Sequence, residues 1–447
     1  MILDYDLLVI GTGTTGSFAA MKCRKQGCSV AITDERDFGG TCALRGCSPK
    51  KILVGASRLY DHNTHMMEHN VSLSGTDISW KGLIDFKRTF TESFPAIREQ
   101  SYADAGIDSF HDKATFVSTS EVSVGDKIVR AKKILVASGS VPRRVGVGGE
   151  SLLLTSEDFL ELESLPRSIV FVGGGFVSFE LAHIACRMGS EVTIVHSSAT
   201  PLKQFDQDLV VSLVESSREL GIRVLLETQV GKLENNGDGI SVISIAGDVV
   251  CSADIAVHGA GRVPNIESLA LEKGGVAAGP GGVKVNGFLQ STTNPRVYAG
   301  GDCVDGYPML RWVAERHGTI AAHNMVHGNS MDVGNPVVPA VLFTTPQLCS
   351  VGLGEKEAEA LGMDVEVAYT DFSDWFSVRY KGDAKGIAKI LKLKGEKTIV
   401  GAHVLSNEAG NIANVLMLAI SQKMTASELK SLYWAFPTET SDIPYLV

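Results

Sequence analysis

Residues 5–34, YDLLVIGTGTTGSFAAMKCRKQGCSVAITD, decide the fold. Tyr5–Ile10 is an apolar run of strand length, Gly11, Gly13 and Gly16 follow in GxGxxG spacing, and a helical stretch extends to Gln26. A second strand is expected over Ser29–Thr33, and Asp34 closes it 18 positions beyond Gly16. In a βαβ unit the three glycines do separate jobs: the first turns the chain, the second admits a pyrophosphate, and the third lets the helix pack on the strand. The helix amino terminus then meets the phosphates, and the Asp34 carboxylate can accept a hydrogen bond from a ribose hydroxyl. Strand, turn, helix, strand and acid in that order predict a dinucleotide site.

The same unit recurs 162 positions later without a gap. Gly11, Gly13 and Gly27 map onto Gly173, Gly175 and Gly189, and Val30 and Ile32 onto Val192 and Ile194. One chain therefore carries two dinucleotide sites. Two positions differ: Gly16 becomes Ser178, and the ribose acid Asp34 becomes His196. Without that acid, and with His196, Ser197, Ser198 and Lys203 close in sequence, the second site suits a 2′-phosphate, and NADPH is favoured over NADH.

Composition limits the rest. At 447 residues the chain holds about three domains. A formal charge of −10 argues against a nucleic-acid partner. No apolar run reaches the ~18 residues of a membrane span, and Met1–Asp6 carries acids rather than a basic leader, so a cytoplasmic protein is expected. Eight cysteines are too few and too scattered for a disulfide scaffold, so a close pair reads as redox or metal chemistry. Cys23 and Cys28 fall on the first crossover helix and its turn and read as packing. Cys42 and Cys47 share the same spacing, but Gly39-Gly40 precede them and Pro49-Lys50 follow, surroundings that suit a thiolate.

The run Gly39-Gly40-Thr41-Cys42-Ala43-Leu44-Arg45-Gly46-Cys47-Ser48-Pro49-Lys50 resembles the redox box of the flavoprotein disulfide reductases, the family of glutathione reductase, dihydrolipoamide dehydrogenase and mercuric reductase. Ile134–Ser140, Gly261–Asn265, Val297–Asp302, Phe343–Pro346 and Val351–Leu353 resemble further family motifs in the same order. The resemblance implies an α/β fold of two Rossmann-like domains and a carboxy-terminal α+β dimerisation domain. FAD would be held by residues 1–147 and 263–335, NAD(P)H by 148–262, and a homodimer by 336–447. It implies that electrons pass from NAD(P)H through FAD to a Cys42–Cys47 disulfide, with Cys47 against the flavin, Cys42 towards the acceptor, and Lys50 paired with Glu180. Around FAD it implies Gly11, Gly13, Thr14, Thr15, Gly16, Asp34, Gly40, Thr41, Lys50, Ala114, Ala137, Gly139, Asp302, Met309 and Leu310. Around NAD(P)H it implies Gly173, Gly175, Phe176 as an aromatic gate, Val177, Glu180, His196, Ser197, Lys203 and Gly261.

The pattern breaks near the end of the chain. The family carries HPTxxE, whose His, oriented by Glu, moves protons for the leaving thiol. Here Trp434-Ala435-Phe436-Pro437-Thr438-Glu439-Thr440-Ser441 puts Phe436 and Ser441 in those places. Phenylalanine moves no proton, and a lost general acid typically costs about 10²- to 10⁴-fold. The acceptor is therefore unidentified, a disulfide or thiol type leading. Mercuric reductase also lacks the His, but a cysteine pair near its carboxy terminus has no counterpart in Asp442–Val447. The 2-ketopropyl-coenzyme M oxidoreductase/carboxylase resembles this chain in placing Phe there, which would exclude protons from a carbanion. Trp312, beside Arg311, is expected to pack on the flavin or the redox helix. His62, His65 and His69 would share a helical face, read as a polar helix end rather than a metal site.

Overall fold

The computed structural model describes residues 1–68, 70–71, 78–382 and 385–447. Two compact units form: Met1–Lys50, Asp85–Arg143 and Gly261–Asn335 make the first, and Lys51–Ile84, Arg144–Ala260 and Pro336–Val447 the second. The chain leaves the first unit at Arg143 and returns at Gly261 because Ser140–Pro142 pairs antiparallel with Arg262–Pro264, keeping both crossing segments there. Lys51–Ile84 goes with the second unit because Leu53, Val54, Trp80, Leu83 and Ile84 are buried in one core with Phe159, Phe171 and Phe179.

In the first unit the strand Ile2–Ile10 lies between Val30–Thr33 and Lys127–Val136, both parallel to it, in a seven-stranded sheet. Leu7 to Ile10 is buried throughout, as a parallel strand covered on both faces requires. The far half of Lys127–Val136 pairs with Val297–Ala299, which brings the later chain segment into the sheet. The crossover helix Thr14–Lys25 starts at Gly13 and ends with Lys22, Arg24 and Lys25 in its last turn, where positive charge meets the helix dipole favourably.

The second unit repeats this design in a five-stranded parallel sheet centred on Ser168–Val172, followed by helix Phe176–Arg187 and strand Glu191–Val195. The repeat extends to backbone angles: φ is +108° at Gly11 and +114° at Gly173, and +89° at Gly27 and +102° at Gly189. These left-handed conformations cost glycine least. The third glycine is where the copies part. A Cβ on Gly16 would lie 1.9 Å from the Gly11 carbonyl oxygen, whereas Ser178 is accommodated because Gly259 opposite it has no side chain; a Cβ on Gly259 would come within 1.7 Å of the Ser178 Oγ.

Pro336–Val447 adds a five-stranded antiparallel sheet to the second unit, with Gln347–Gly352, Ile399–Ser406 and Ile387–Leu393 at its centre and helix Ala409–Ser421 packed on it. Ile443, Leu446 and Val447 close this core. Among the described residues no helix is long and apolar enough to cross a membrane.

Candidate redox and dinucleotide sites

Gly39 and Gly40 both take left-handed backbone angles, φ +134° and +70°, and open the short helix Gly40–Leu44 that carries Cys42. The chain is re-set at Arg45 and Gly46, and Cys47 begins the long helix Cys47–Glu68. Cys42 is half-buried and Cys47 exposed. The Cys42 and Cys47 sulfurs are within hydrogen-bonding reach; that bond first, and burial second, push the Cys42 thiol far above its ordinary range. The Arg311 guanidinium acts in the opposite direction, and the Asp302 carboxylate reinforces the rise.

The first dinucleotide cradle sits beside this dithiol. Gly13 and Gly40 face one another so closely that a Cβ on Gly40 would lie 2.5 Å from the Gly13 Cα, and a Cβ on Gly11 would lie 2.3 Å from the Ala137 carbonyl oxygen. Asp34 Oδ2 accepts from the Thr12 N–H at 2.8 Å and from the Thr12 hydroxyl at 2.7 Å, while Oδ1 accepts from the Arg36 N–H at 3.1 Å. Asp302 follows Gly300-Gly301 at the end of Val297–Ala299; burial raises its pKa, against the Ser140 hydroxyl that donates to Oδ2 at 2.9 Å. Arg262 steadies that serine, donating from Nε to the Ser140 Oγ at 2.9 Å and from Nη2 to its carbonyl at 2.6 Å. Two carboxylates, glycine faces without side chains and a helix amino terminus fit FAD's ribose, ribitol and pyrophosphate. Thr14 and Thr15 begin that helix, and Thr15 donates to the Ala314 carbonyl at 2.8 Å. Ala114 is buried on an edge hairpin, Ala137 and Gly139 lie at the end of the central strand, and Met309 and Leu310 lead into helix Arg311–His327.

In the second cradle Gly175 caps helix Phe176–Arg187, Phe176 stands half-exposed at its first turn, and Val177 packs against the core. Glu180, one turn on, is buried and accepts the Phe343 N–H at 2.8 Å through Oε1. His196 departs from expectation. Its Nδ1 accepts the Gly174 N–H at 3.0 Å, its Nε2 lies 3.2 Å from the Thr200 carbonyl, and burial lowers its pKa. The ring is a neutral group engaged with backbone rather than a cation facing a phosphate.

In the carboxy-terminal segment Phe436 is 83% exposed. Ser441 does not stand in for the family glutamate: its Oγ accepts the Thr438 N–H at 3.3 Å and donates to the Thr438 carbonyl at 2.5 Å, closing its own turn. Glu439 is taken up by the Lys381 ammonium and by the Tyr380 hydroxyl at 3.2 Å. Trp312 is 69% exposed, with the Arg311 guanidinium over its ring at 5.1 Å, so it is not packed in the protein core. Cys23 is buried and its thiol pKa is pushed up to about 12 by burial, as packing requires. His62 reaches the Lys381 carbonyl at 3.2 Å and His65 lies 3.8 Å from Asp61, while His69 lies outside the described residues. The sequence does not single out Thr12, Ser140 or Arg262, although Ser140 and Arg262 lie inside its motifs, nor His317, whose Nδ1 accepts the Gly301 N–H beside Asp302 at 3.2 Å.

The sequence pattern of the pyridine nucleotide-disulphide oxidoreductases matches residues 5–318, and that family's dimerisation-domain pattern matches residues 338–445. The chain is 30% identical to a mercuric reductase of Staphylococcus aureus over 438 residues, 95% of this chain and 79% of that protein. It is 30% identical to a glutathione reductase of Burkholderia cepacia over 436 residues, 97% and 96% of the two chains. A dihydrolipoyl dehydrogenase of Chlamydia muridarum is 29% identical over 441 residues, 97% and 94% of the two. Among solved structures, the Cu(II) complex of the HOCl-induced flavoprotein disulfide reductase RclA from Escherichia coli superimposes with a TM-score of 0.89 over 99% of both chains at 22% identity, a likeness of fold.

Proposed function

This chain belongs to the pyridine nucleotide-disulphide oxidoreductases, flavoprotein oxidoreductases using FAD and NAD(P)H, and from that premise we propose that it is a homodimeric, NADPH-driven reductase of a disulfide or thiol-bound acceptor that needs no proton from a histidine. The observation that carries the proposal is the Cys42–Cys47 thiol contact, in a chain whose proton-donor position is Phe436. When bound, FAD supplies the two-electron link between the nicotinamide and the cysteine pair.

The chain's own residues divide the remaining work. Cys47 sits at the start of a long helix, where backbone N–H groups favour a thiolate, and the Cys42 thiol donates towards it. Cys47 is then the sulfur that faces the flavin, and Cys42 the one that meets the acceptor. The Cys42 thiol gives up its proton to solvent as its sulfur attacks a substrate disulfide and expels one thiolate; the Cys47 thiolate then attacks Cys42, re-forms the protein disulfide and expels the second thiolate. Both leaving sulfurs draw their protons from solvent or from the acceptor itself, which selects acceptors whose thiols leave readily as anions. Lys50 supplies positive charge one turn beyond Cys47, and Glu180 the carboxylate of the nucleotide side. Ser197, Ser198 and Lys203 supply donors for a 2′-phosphate, which supports NADPH.

Anaerobic titration tests the reading. One equivalent of NADPH is expected to produce the long-wavelength absorbance of a thiolate against oxidised flavin, faster than NADH does, and Cys47→Ser abolishes it. Flavin bleaching in the parent protein without that band would overturn the relay.

A further inference from the structure

We propose that Arg311 is the acceptor-side cation of this enzyme, standing beside Cys42 and selecting disulfides that carry a carboxylate close to the sulfur. The inference rests on the reading of Cys42 as the thiol that meets a disulfide acceptor, and it names the class of that acceptor.

The placement follows from the backbone. Gly40, which opens the short helix carrying Cys42, stands against Gly13, where a Cβ on it would lie 2.5 Å from the Gly13 Cα. Two residues beyond Gly13, the Thr15 hydroxyl donates to the Ala314 carbonyl at 2.8 Å, one turn into helix Arg311–His327. The first turn of helix Thr14–Lys25 therefore gathers the openings of two other helices, one bearing Cys42 and the other Arg311. Charge is felt across that junction, since the guanidinium acts to lower the Cys42 pKa against burial.

Arg311 is also open to a ligand. Its side chain is 43% exposed, and Trp312 and Met309 stand exposed on either side of it in sequence. Nη1 lies 3.1 Å from Glu315 Oε2, one turn on, and the guanidinium stands over the Trp312 ring at 5.1 Å. These two contacts fix the group without filling it. A guanidinium presents five donors in a planar fork, and the edge made by Nε and Nη2 meets no acceptor among the described residues. That edge matches a carboxylate in two parallel hydrogen bonds. Of the acids nearby, Asp302 is buried and accepts from the Ser140 hydroxyl, and Glu315 is held in the ion pair. An acceptor carboxylate docked on the free edge sets its neighbouring sulfur towards Cys42, and an acceptor ammonium is repelled there. Arginine keeps its charge throughout the working pH range, so the selection does not titrate as one by histidine would.

NADPH-driven turnover of three aliphatic disulfides reads the charge: dithiodipropionate is negative, hydroxyethyl disulfide neutral and cystamine positive. For the FAD-loaded parent, kcat/KM is expected to fall in that order. Arg311→Gln lowers the ratio of dithiodipropionate to hydroxyethyl disulfide by about 10-fold; Arg311→Lys, which keeps the charge but not the fork, lowers it less, and Arg311→Glu puts cystamine first. Glu315→Gln, which releases Nη1, raises the ratio. Alkylation of the reduced protein gives a readout that needs no turnover. The rate with iodoacetate relative to iodoacetamide at Cys42 falls in Arg311→Gln, and falls in the parent as salt is added. Trypsin cleaves after Arg45, so Cys42 and Cys47 are read on separate peptides. If Arg311→Gln leaves either ratio within two-fold of the parent, or slows all three disulfides alike, or if Glu315→Gln lowers the ratio as well, the inference falls. A parent that turns over none of the three disulfides overturns the reading on which the inference rests, a result distinct from turnover without preference for charge.

Discussion

Arg187 Nε lies 2.7 Å from Asp61 Oδ1 with only 4% and 13% of the two side chains exposed, joining helix Phe176–Arg187 to the long helix that Cys47 begins. The guanidinium also donates to the Thr345 carbonyl at 3.1 Å and stands 3.2 Å from His183 Nδ1. Removing one partner of such a pair strands a buried charge. Arg187→Ala is expected to cost about 3–5 kcal/mol, and the double variant Arg187→Met/Asp61→Leu much less than that single change. Thermal melts of the three proteins check this; equal losses in the single and double variants would show that the pair is not the source.

His317 carries a pH dependence. It is 1% exposed, its Nδ1 accepts the Gly301 N–H at 3.2 Å, and burial lowers its pKa to about 4 from an unfolded value of 6.5. Between those values the unfolded chain binds the proton and the folded chain does not, so stability is full above pH 6.5 and drains away as pH falls towards 4. The loss amounts to about 3 kcal/mol over that window. His317→Gln, which keeps an acceptor but does not titrate, is expected to flatten melting temperature against pH between 6.5 and 4.5. An unchanged slope would assign the acid sensitivity to other groups.

Asp206, Asp208 and Glu355 offer oxygens close enough to hold a cation, yet the Lys389 ammonium already occupies their centre, 3.0 Å from Asp206 and 2.6 Å from Asp208, and paired with Glu355. Chelators are therefore expected to leave the melting temperature of the parent unchanged. Lys389→Ala leaves three carboxylates in mutual repulsion; it should melt earlier and be rescued in part by millimolar Ca²⁺. Calcium stabilising the parent as strongly as the variant would refute this account.

What sequence made legible follows the range of the forces involved. Gly11, Gly13, Gly173 and Gly175 were readable because a tight turn and a close approach are local demands. Asp34 and Asp302 were readable as the ends of strands. The group that holds Asp302 was not, since Ser140 and Asp302 lie 162 positions apart and meet only when two sheet strands pair. The exchange of Gly16 for Ser178 was visible, but its compensation at Gly259 depends on a neighbouring strand. His196 was readable as a missing acid; that its ring would bond the turn it follows needed the geometry of the turn.

Gly40 opens the short helix that carries Cys42 and stands against Gly13 of the first glycine turn. With its φ of +70° and a Cβ that would stand 2.5 Å from the Gly13 Cα, Gly40→Ala must both strain the backbone and close the face a pyrophosphate would use. The variant is expected to purify with markedly less flavin per chain, read from the ratio of visible to ultraviolet absorbance, and to regain little when FAD is added. A full flavin complement in Gly40→Ala would remove Gly40 from the cradle. Gly139→Ala, with no neighbour within 4 Å of its Cβ, separates backbone strain at φ +70° from steric closure.

The last prediction concerns the missing proton donor. Phe436 is exposed, Ser441 spends its hydroxyl on the Thr438 backbone, and Glu439 is engaged with Lys381 and Tyr380, so none of the three offers a proton-transfer dyad. Restoring the dyad by Phe436→His together with Ser441→Glu should raise turnover of glutathione disulfide or lipoamide by at least about 10-fold, within the roughly 10²- to 10⁴-fold that general acid catalysis supplies. Phe436→His alone should gain less, because nothing orients the ring. The restored activity should titrate near the ordinary histidine range of about 6.5, a limb the parent lacks. The long-wavelength band on NADPH titration should be unchanged, since in the proposed relay it reports the Cys47 side rather than the acceptor side. If the double variant gains neither turnover nor the new pH limb while keeping that band, the absent histidine is not what sets the acceptor, and the surface around Cys42 must select it by shape.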